Sequence, residues 1–340
     1  MEVLENNFNS VRRLLIKLRL DKFDFKDCQI EQMPKGYGGN EVYLITTIKS
    51  QKLILKTANL SGKNYQKNLA RKKREFQFWK KTQQKTVYAF EILNKNVFLL
   101  QDYIDGQVLA SWQINNKNRK FVAQKLTETM ILDLSNYLAN LHSITSNFYH
   151  NFSIYSLEDL TPTQITNYQY DLDIQDCWNE NDDLDKIPEN QNTKNFISQK
   201  YCKLKNRIIE MVKIANSQNI FQKEFFSLIH WDIKPQNIIW NRSKINVIDP
   251  EFAHFNLSEL DLARVITQCC LDKEQEKFLV QNYYSQRLVN FQILEILIIS
   301  QKFTKLRDHW LWDKEKNWNL VSFENELDQI ETRLNKFLQN

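Results

Sequence analysis

A short segment in the second half of the chain carries two carboxylates and an amide at a spacing suited to phosphoryl transfer. It runs His230-Trp-Asp232-Ile-Lys234-Pro-Gln-Asn237, and Asp249 follows it. Transfer of a phosphoryl group needs a carboxylate that orients and deprotonates the attacking hydroxyl, and oxygen ligands that hold magnesium on the phosphates. The spacing predicts Asp232 as the base. Asn237 and Asp249 are the predicted Mg2+ ligands, because Mg2+ prefers oxygen donors.

Two short apolar runs surround the polar residues 241–244. They are Ile238-Ile-Trp and Ile245-Asn-Val-Ile, and together they predict a small hairpin. Such a hairpin would bring Asn237 and Asp249 to the same end of a strand pair.

The pattern H-x-D-x-x-x-x-N followed by I-D-x-E resembles the kinase-like phosphotransferases of small molecules, which include aminoglycoside phosphotransferases and choline and ethanolamine kinases. His230, Asp232, Asn237 and Asp249 fall on that family's catalytic and metal positions. The resemblance implies an α+β, two-lobed protein-kinase-like fold. Its N-terminal lobe would hold an antiparallel sheet plus a helix, and its larger C-terminal lobe would be mainly helical. It also implies ATP and Mg2+ as cofactors and a small-molecule hydroxyl as the acceptor.

Two further residues near the predicted base have expected roles. Lys234 can neutralise charge that develops on the γ-phosphate during transfer. We expect the His230 imidazole to orient backbone groups beside the catalytic loop, so His230, Asp232 and Lys234 form the predicted catalytic set. Glu251 is expected to support a second metal ion or to bind substrate.

A glycine-rich stretch near the N-terminus predicts a phosphate-binding loop. Gly38, Gly39 and Asn40 lie just before predicted strand 41–48, and segment 52–56 is the predicted returning strand. Glycines let backbone N–H groups approach phosphates without a Cβ in the way. The stretch resembles the G-G-x-[NS] loop of the same family, although here Asn40 follows Gly39 directly.

A cation on the nucleotide phosphates is normally held by a carboxylate. Lys56 stands at the end of the predicted returning strand, and Glu75 is the only acidic residue between Lys56 and Glu91. We therefore predict a Lys56–Glu75 ion pair. The basic run Arg71-Lys-Lys-Arg74 is expected to form the solvated face of the helix that carries Glu75.

Segments 87–92 and 97–104 predict two more strands, and residues 101–109 resemble the family's hinge. Main-chain groups near Gln101 and Tyr103 would bind adenine there. The expected domains are a nucleotide-binding lobe over 1–105 and a catalytic and substrate-binding lobe over 106–340.

Helical periodicity marks most of the remaining chain. His142 is expected to be a buried or capping histidine. Asp261, in a D-L-A motif that the family shares, is expected to accept hydrogen bonds from the catalytic loop. The predicted helices cover the first 23 residues, packed on the outside of the first lobe, then 121–142, 195–216, 278–299 and 320–338, with a strand over 225–230.

Two alternatives remain open from the motifs. Asp232-Ile-Lys-Pro-Gln-Asn237 is also similar to the loop of serine/threonine protein kinases. That interpretation is weakened because Trp231 replaces the arginine, Asp249-Pro-Glu251 replaces D-F-G, and no A-P-E follows. The second alternative is a nucleotide-binding pseudokinase. The presence of every motif residue argues against it.

The acceptor is expected to carry positive charge. The segment from Asp171 to Glu189 holds eight acidic residues and only one opposing base, Lys186. Acidic surface attracts cationic ligands, and Trp178, Trp310, Trp312 and Trp318 offer ring faces for cation–π contact. A solvated acidic loop with core tryptophans explains the same residues equally well.

Net charge, cysteine content and the hydrophobic pattern limit the kinds of partner and cellular environment that we expect. The net charge of +5 is mild and does not indicate a nucleic-acid partner. The five cysteines are odd in number and lack a C-x-x-C motif, which favours reduced thiols. No signal peptide and no membrane span is recognised. We expect a cytoplasmic monomer or homodimer with neither a membrane nor a nucleic-acid partner.

Overall fold

The structure, a computed structural model, forms two compact units. The first contains the described residues up to Gly106 together with Asp249–Ala253, and the second contains the other described residues. The described residues are 11–16, 23–33, 41–59, 65–83, 86–93, 96–115, 118–145, 189–221, 226–307 and 319–339.

An antiparallel five-stranded sheet with one long helix builds the first unit. The strand order is β1-β2-β3-β5-β4, and alternating apolar residues such as Tyr43, Ile45, Leu53 and Leu55 form its core. The elements are β1 (Gln29–Gln32), β2 (Glu41–Thr46), β3 (Lys52–Asn59), α1 (Tyr65–Thr82), β4 (Val87–Leu93) and β5 (Asn96–Asp102). Strand β3 continues past Lys56, the end predicted from sequence.

The N-terminal helix differs from its prediction. Residues 11–16 are helical, but Phe23 is not. Val11, Leu14 and Leu15 are buried in one cluster with the sheet residues, so this short helix packs its apolar face on the sheet of the first unit. Three apolar residues within two turns form a stripe that gains free energy only by burial against another element.

The second unit is mainly helical. Its helices are α2 (Glu128–His142), α3 (Gln191–Ser217), α4 (Ser258–Gln268), α5 (Lys273–Tyr284), α6 (Phe291–Arg307) and α7 (Leu320–Gln339). Its strands are β6 (Gln107–Val108), β7 (Ala110–Asn115), β8 (Asn118–Ala123), β9 (Ser227–Ile229), β10 (Ile238–Trp240), β11 (Ile245–Val247) and β12 (His254–Asn256). With the sheet-and-helix first unit, this confirms the predicted α+β, protein-kinase-like fold class.

The predicted hairpin beside Asn237 is confirmed. Strands β10 and β11 pair antiparallel, with Ile238 opposite Val247. Strand β6 joins β10 on its other side, where Val108 lies opposite Ile239. The hairpin therefore belongs to a three-stranded sheet in the second unit, with β10 as the central strand and β11 as an edge strand.

Two predicted helices have the wrong bounds. The helix expected from residue 121 begins at Glu128, because the Thr127 side chain accepts the Met130 N–H and caps it. The preceding residues instead form the β7–β8 hairpin. The helix expected over 278–299 is two helices, α5 and α6, with residues 285–290 between them.

Within the described part of the chain, none of the helices combines the length and apolarity that a bilayer crossing requires.

Candidate active site

In the first unit, Lys56 lies between two carboxylates. Its Nζ donates to Glu75 Oε1 at 2.5 Å and to Asp249 Oδ1 at 2.8 Å. The ion pair predicted between Lys56 and Glu75 is present, and the contact with Asp249 adds a carboxylate from a distant part of the chain. Strand β3 supplies the lysine and α1 supplies Glu75, which is completely buried.

Electrostatics keep Lys56 and Glu75 ionised. Burial by itself lowers the pKa of Lys56, but the Asp249 and Glu75 carboxylates outweigh it and hold that pKa above its ordinary value. Burial by itself raises the pKa of Glu75, but Lys56 and then Lys72 outweigh it and hold that pKa below its ordinary value. Lys56 therefore remains an ammonium that can contact phosphate oxygens.

The basic run on α1 is not simply a solvated face, as the sequence led us to expect. Lys72 is 2% exposed, and its Nζ lies 3.0 Å from Glu75 Oε2 and 3.7 Å from Glu251 Oε2. Arg71 approaches Glu251 Oε1 at 3.8 Å and lies over the Phe252 ring at 4.5 Å. Sequence interpretation missed these contacts, although Lys72 and Glu75 have the i, i+3 spacing of helical neighbours.

In the second unit, the predicted base is held by two neighbours in its own loop. Asp232 Oδ2 accepts from Lys234 Nζ at 2.7 Å and from Asn237 Nδ2 at 3.0 Å. The same Asn237 amide donates to the Asp232 carbonyl oxygen at 2.8 Å. With Oδ2 engaged, Oδ1 is the oxygen that can accept a proton from a hydroxyl.

Helix α4 fixes the start of this loop, as predicted. Asp261 Oδ2 accepts the His230 N–H at 2.7 Å, and its Oδ1 accepts the Trp231 N–H at 2.8 Å. His142 is buried, as predicted, and its Nε2 lies 3.2 Å from Asp261 Oδ2. Since a carboxylate can only accept, Nε2 carries a proton and donates to Asp261, while Nδ1 lies 2.8 Å from the Tyr283 hydroxyl oxygen. The His230 side chain is also completely buried.

Two residues at the predicted site have left-handed backbone conformations. Trp231 has φ 69° and Asp249 has φ 67°. Positive φ is unfavourable for residues with a Cβ and persists where surrounding contacts enforce it. Around Trp231 these contacts include Asp261, the Arg264 guanidinium 4.5 Å from the indole ring, and the His254 ring at 5.3 Å.

The predicted adenine-binding residues lie at the end of β5. Gln101 is buried, and its main chain lies opposite Ile54 of β3. The Asp102 N–H donates to the Thr86 carbonyl at 3.1 Å, and the Tyr103 N–H donates to the Lys52 carbonyl at 3.3 Å. Any main-chain contact from Asp102 or Tyr103 to a nucleotide would therefore use their carbonyl oxygens. Other predicted binding residues lie outside the described residues, namely Gly38, Gly39 and Asn40, the acidic segment apart from Glu189, and Trp178, Trp310, Trp312 and Trp318.

The donor chemistry of two predicted metal ligands fits Mg2+. Asp249 offers a carboxylate whose side chain is 37% exposed. Asn237 uses its Nδ2 group on Asp232, so its Oδ1 is the atom with which it could bind a cation. The Ile248 N–H also donates to the Asn237 carbonyl at 2.8 Å. Both side chains therefore present the hard oxygen donors that Mg2+ prefers.

Comparison with known proteins identifies the family. Residues 29–284 match the model of the phosphotransferase enzyme family, abbreviated APH, over more than half of the 340-residue chain. The chain belongs to this family. The match includes the Lys56 cluster, the Asp232 loop and Asp261. No curated protein has a sequence that matches the chain.

Solved structures with similar folds are phosphotransferases of several small molecules. The choline kinase LicA from Streptococcus pneumoniae has a TM-score of 0.52 and 16% identity, covering 91% of this chain and 94% of its own. A spectinomycin phosphotransferase in complex with ADP and spectinomycin has a TM-score of 0.55 and 14% identity, covering 96% and 98%. The macrolide 2'-phosphotransferase MphH from Brachybacterium faecium has a TM-score of 0.57 and 11% identity, covering 97% and 98%. At these identities the likeness concerns the fold.

Proposed function

We propose that this phosphotransferase moves the γ-phosphoryl group of ATP to a hydroxyl group of a small molecule. The observation that carries the proposal is the position of Lys56 between Glu75 and Asp249. An ammonium held by one buried carboxylate, beside a second and more exposed one, suits binding of nucleotide phosphates together with a cation. The ADP complex of the similar spectinomycin phosphotransferase supports a nucleotide as donor.

The proposed chemistry assigns one task to each residue of the catalytic loop. Asp232 Oδ1 takes the proton of the acceptor hydroxyl while the oxygen of that hydroxyl forms a bond to the γ-phosphorus. The bond from that phosphorus to the bridging oxygen breaks, and ADP leaves. Lys234 neutralises charge on the transferring group, and buried His230 holds the loop. Mg2+, with Asn237 and Asp249 as its proposed ligands, would supply charge neutralisation of the phosphates when bound.

The acceptor is proposed to be an amine-bearing alcohol, such as an aminoglycoside or a choline-like compound. Support comes from the acidic segment 171–189, which would raise the local concentration of cations. Two of the similar structures are a choline kinase and a spectinomycin phosphotransferase, and their named compounds are candidates for the first screen.

The test is a transfer assay with ATP and Mg2+ against small alcohols with and without amino groups, with a protein acceptor included. ATP consumption and the mass of the phosphorylated product are measured. Asp232→Asn should reduce kcat about 10²–10⁴-fold, because the general base is lost. Calorimetric affinity for ADP with Mg2+ should remain close to that of the wild type.

Asp328→Asn is the matched control, because Asp328 lies on α7 in a partly exposed ion pair with Lys200. It should retain wild-type turnover. Near wild-type turnover by Asp232→Asn with the best acceptor would show that Asp232 is not the base. Preferred phosphorylation of the protein acceptor would favour the protein-kinase alternative, and ADP binding without any transfer would favour a pseudokinase.

A further inference from the structure

Two acidic residues of the segment Asp249–Ala253 contact cations of the sheet and helix in the first unit. Asp249 is held by Lys56 of β3. Glu251 lies 3.7 Å from Lys72 and 3.8 Å from Arg71, both on α1. Residues Asp249–Ala253 accordingly belong to the first unit. The proposed metal-binding carboxylate therefore belongs to a segment that contacts β3 at Asp249 and α1 at Glu251.

Lys72 occupies an unusual position for a lysine. It is 2% exposed, and burial of an ammonium is costly unless carboxylates compensate it. Glu75 would by itself provide that compensation, at 3.0 Å. However, the Lys72 ammonium also lies within ion-pair distance of Glu251, so it bridges a carboxylate of α1 and a carboxylate of the metal segment.

Loss of the Lys72 charge would unbalance the cluster. Glu75, Asp249 and Glu251 bring three carboxylates into one cluster, and Lys56, Lys72 and Arg71 bring three cations. Without Lys72, Glu251 would keep the contact with Arg71 as its one ion pair among the described residues, while the negative charge of Asp249 two residues away repels it. The segment would then lose one of its attachments to α1.

We propose that Lys72 is a positioning residue, which acts through Glu251 to hold the Asp249–Ala253 segment on α1 and so keeps Asp249 at Lys56. Arg71 assists by contacting Glu251 and lying over the Phe252 ring. The inference rests on the proposed function, since it concerns how Asp249 is kept ready for metal and nucleotide. It assigns Glu251 to the attachment of the segment, in place of the metal or substrate role expected from sequence.

The experiment compares Lys72→Met, Lys72→Arg, Glu251→Gln and the double variant Lys72→Met/Glu251→Gln in the full-length chain. Lys73→Met is the matched control, because Lys73 is the exposed neighbour on the same helix. Binding of ADP in the presence and absence of Mg2+ is measured by calorimetry, alongside kcat and KM for ATP. Melting temperatures without ligand identify any variant that has lost its fold.

Lys72→Met should weaken Mg2+-dependent ADP binding on the order of tenfold, the size of typical coupling within one ion-pair network. Lys72→Arg should restore most of it, and Lys73→Met should match the wild type. Glu251→Gln should add little in the Lys72→Met background, because both changes break the same attachment. The KM for ATP should rise more than kcat falls.

Three results would overturn the inference. The first is that Lys72→Met binds ADP as tightly as Lys73→Met does, and the second is that the effects of the Lys72 and Glu251 changes are fully additive. The third is that Glu251→Gln loses the Mg2+ dependence of ADP binding while Lys72→Met keeps it. If Lys72→Met does not fold, Arg71→Gln replaces it in a double-mutant cycle with Glu251→Gln. Additive effects of these two changes on Mg2+-dependent ADP binding would equally overturn the attachment of the segment through Glu251. Failure of the wild type to bind ADP with Mg2+ would instead overturn the proposed function.

Discussion

At the scale of single residues, Lys56 joins groups that lie far apart in the chain. Its partner Glu75 is nineteen positions away, and its partner Asp249 is separated from it by 193 positions. Because both carboxylates contact one ammonium, removal of either changes the electrostatic environment of the other. We therefore expect these residues to behave as one unit in nucleotide use.

Lys56→Ala and Glu75→Gln should each lower kcat/KM for ATP, and the double variant should lose less than the sum of the two effects. The expected coupling is about 0.5–3 kcal/mol, the range for residues in direct contact. Steady-state kinetics of the four proteins measures it. Lys73→Met is the control for loss of a nearby helix charge. Effects that add within measurement error would mean that the two side chains act independently.

At the scale of elements, helix α4 organises the entry to the catalytic loop. Through Asp261 it accepts two consecutive backbone N–H groups and contacts His142 on α2. Burial by itself raises the pKa of Asp261, but the hydrogen bond from His142 and the nearby His230 outweigh it, so the pKa lies below its ordinary value. The position of one helix thereby stabilises Trp231 in its left-handed conformation.

Asp261→Asn should destabilise the fold and slow transfer. An amide oxygen can replace one acceptor, but its NH2 group cannot accept the second N–H, and a buried unsatisfied donor costs about 1–3 kcal/mol. Denaturant unfolding measures the loss, with Asp328→Asn as the control. An unchanged unfolding free energy would mean that these two hydrogen bonds do not stabilise the loop.

The same variant should change the acid dependence of stability. Since the folded pKa of Asp261 lies below 3.8, the wild type has the full contribution above that pH and loses it as the pH falls through the folded value. The free energy of unfolding of Asp261→Asn should therefore fall less steeply below pH 3.8. Parallel wild-type and variant curves would contradict the lowered pKa.

At the scale of the whole molecule, charge is distributed unevenly along the sequence. The chain carries a net charge of +5, yet the segment from Asp171 to Glu189 is strongly acidic. Long-range attraction affects the capture of a charged ligand and is screened by salt over about 8–10 Å at moderate ionic strength. An acidic segment in an otherwise basic chain would thus favour capture of a cationic acceptor.

Neutralising Asp182, Asp183 and Asp185 together should raise the KM for a cationic acceptor and leave the KM for ATP nearly unchanged. The difference should fade as salt rises, because screening weakens the attraction. The control neutralises Glu324, Glu326 and Asp328 on α7, an equal number of charges elsewhere. An unchanged acceptor KM at low salt, or an uncharged preferred acceptor, would rule out electrostatic capture.

Features carried by a motif or by a short sequence pattern could be predicted from the sequence. These include the β10–β11 hairpin beside Asn237, the pairing of Lys56 with Glu75, and the acceptance of loop N–H groups by Asp261. The hairpin follows from two short apolar runs, the ion pair from the single acidic residue between Lys56 and Glu91, and the role of Asp261 from the family resemblance. The roles of Asp232, Asn237 and Asp249 in catalysis and metal binding remain predictions.

Only the tertiary structure decided which distant groups meet and which charges are buried. Lys72 belongs to a basic run that sequence alone assigns to solvent, yet it is buried because Glu75 and the distant Glu251 both lie beside it. Similarly, Phe121 and Val122 suit a helix or a strand, and pairing with β7 together with the Thr127 cap selects the strand. The physical reason is that helical periodicity specifies which residues share a face, whereas the partner of that face is set by packing across the chain.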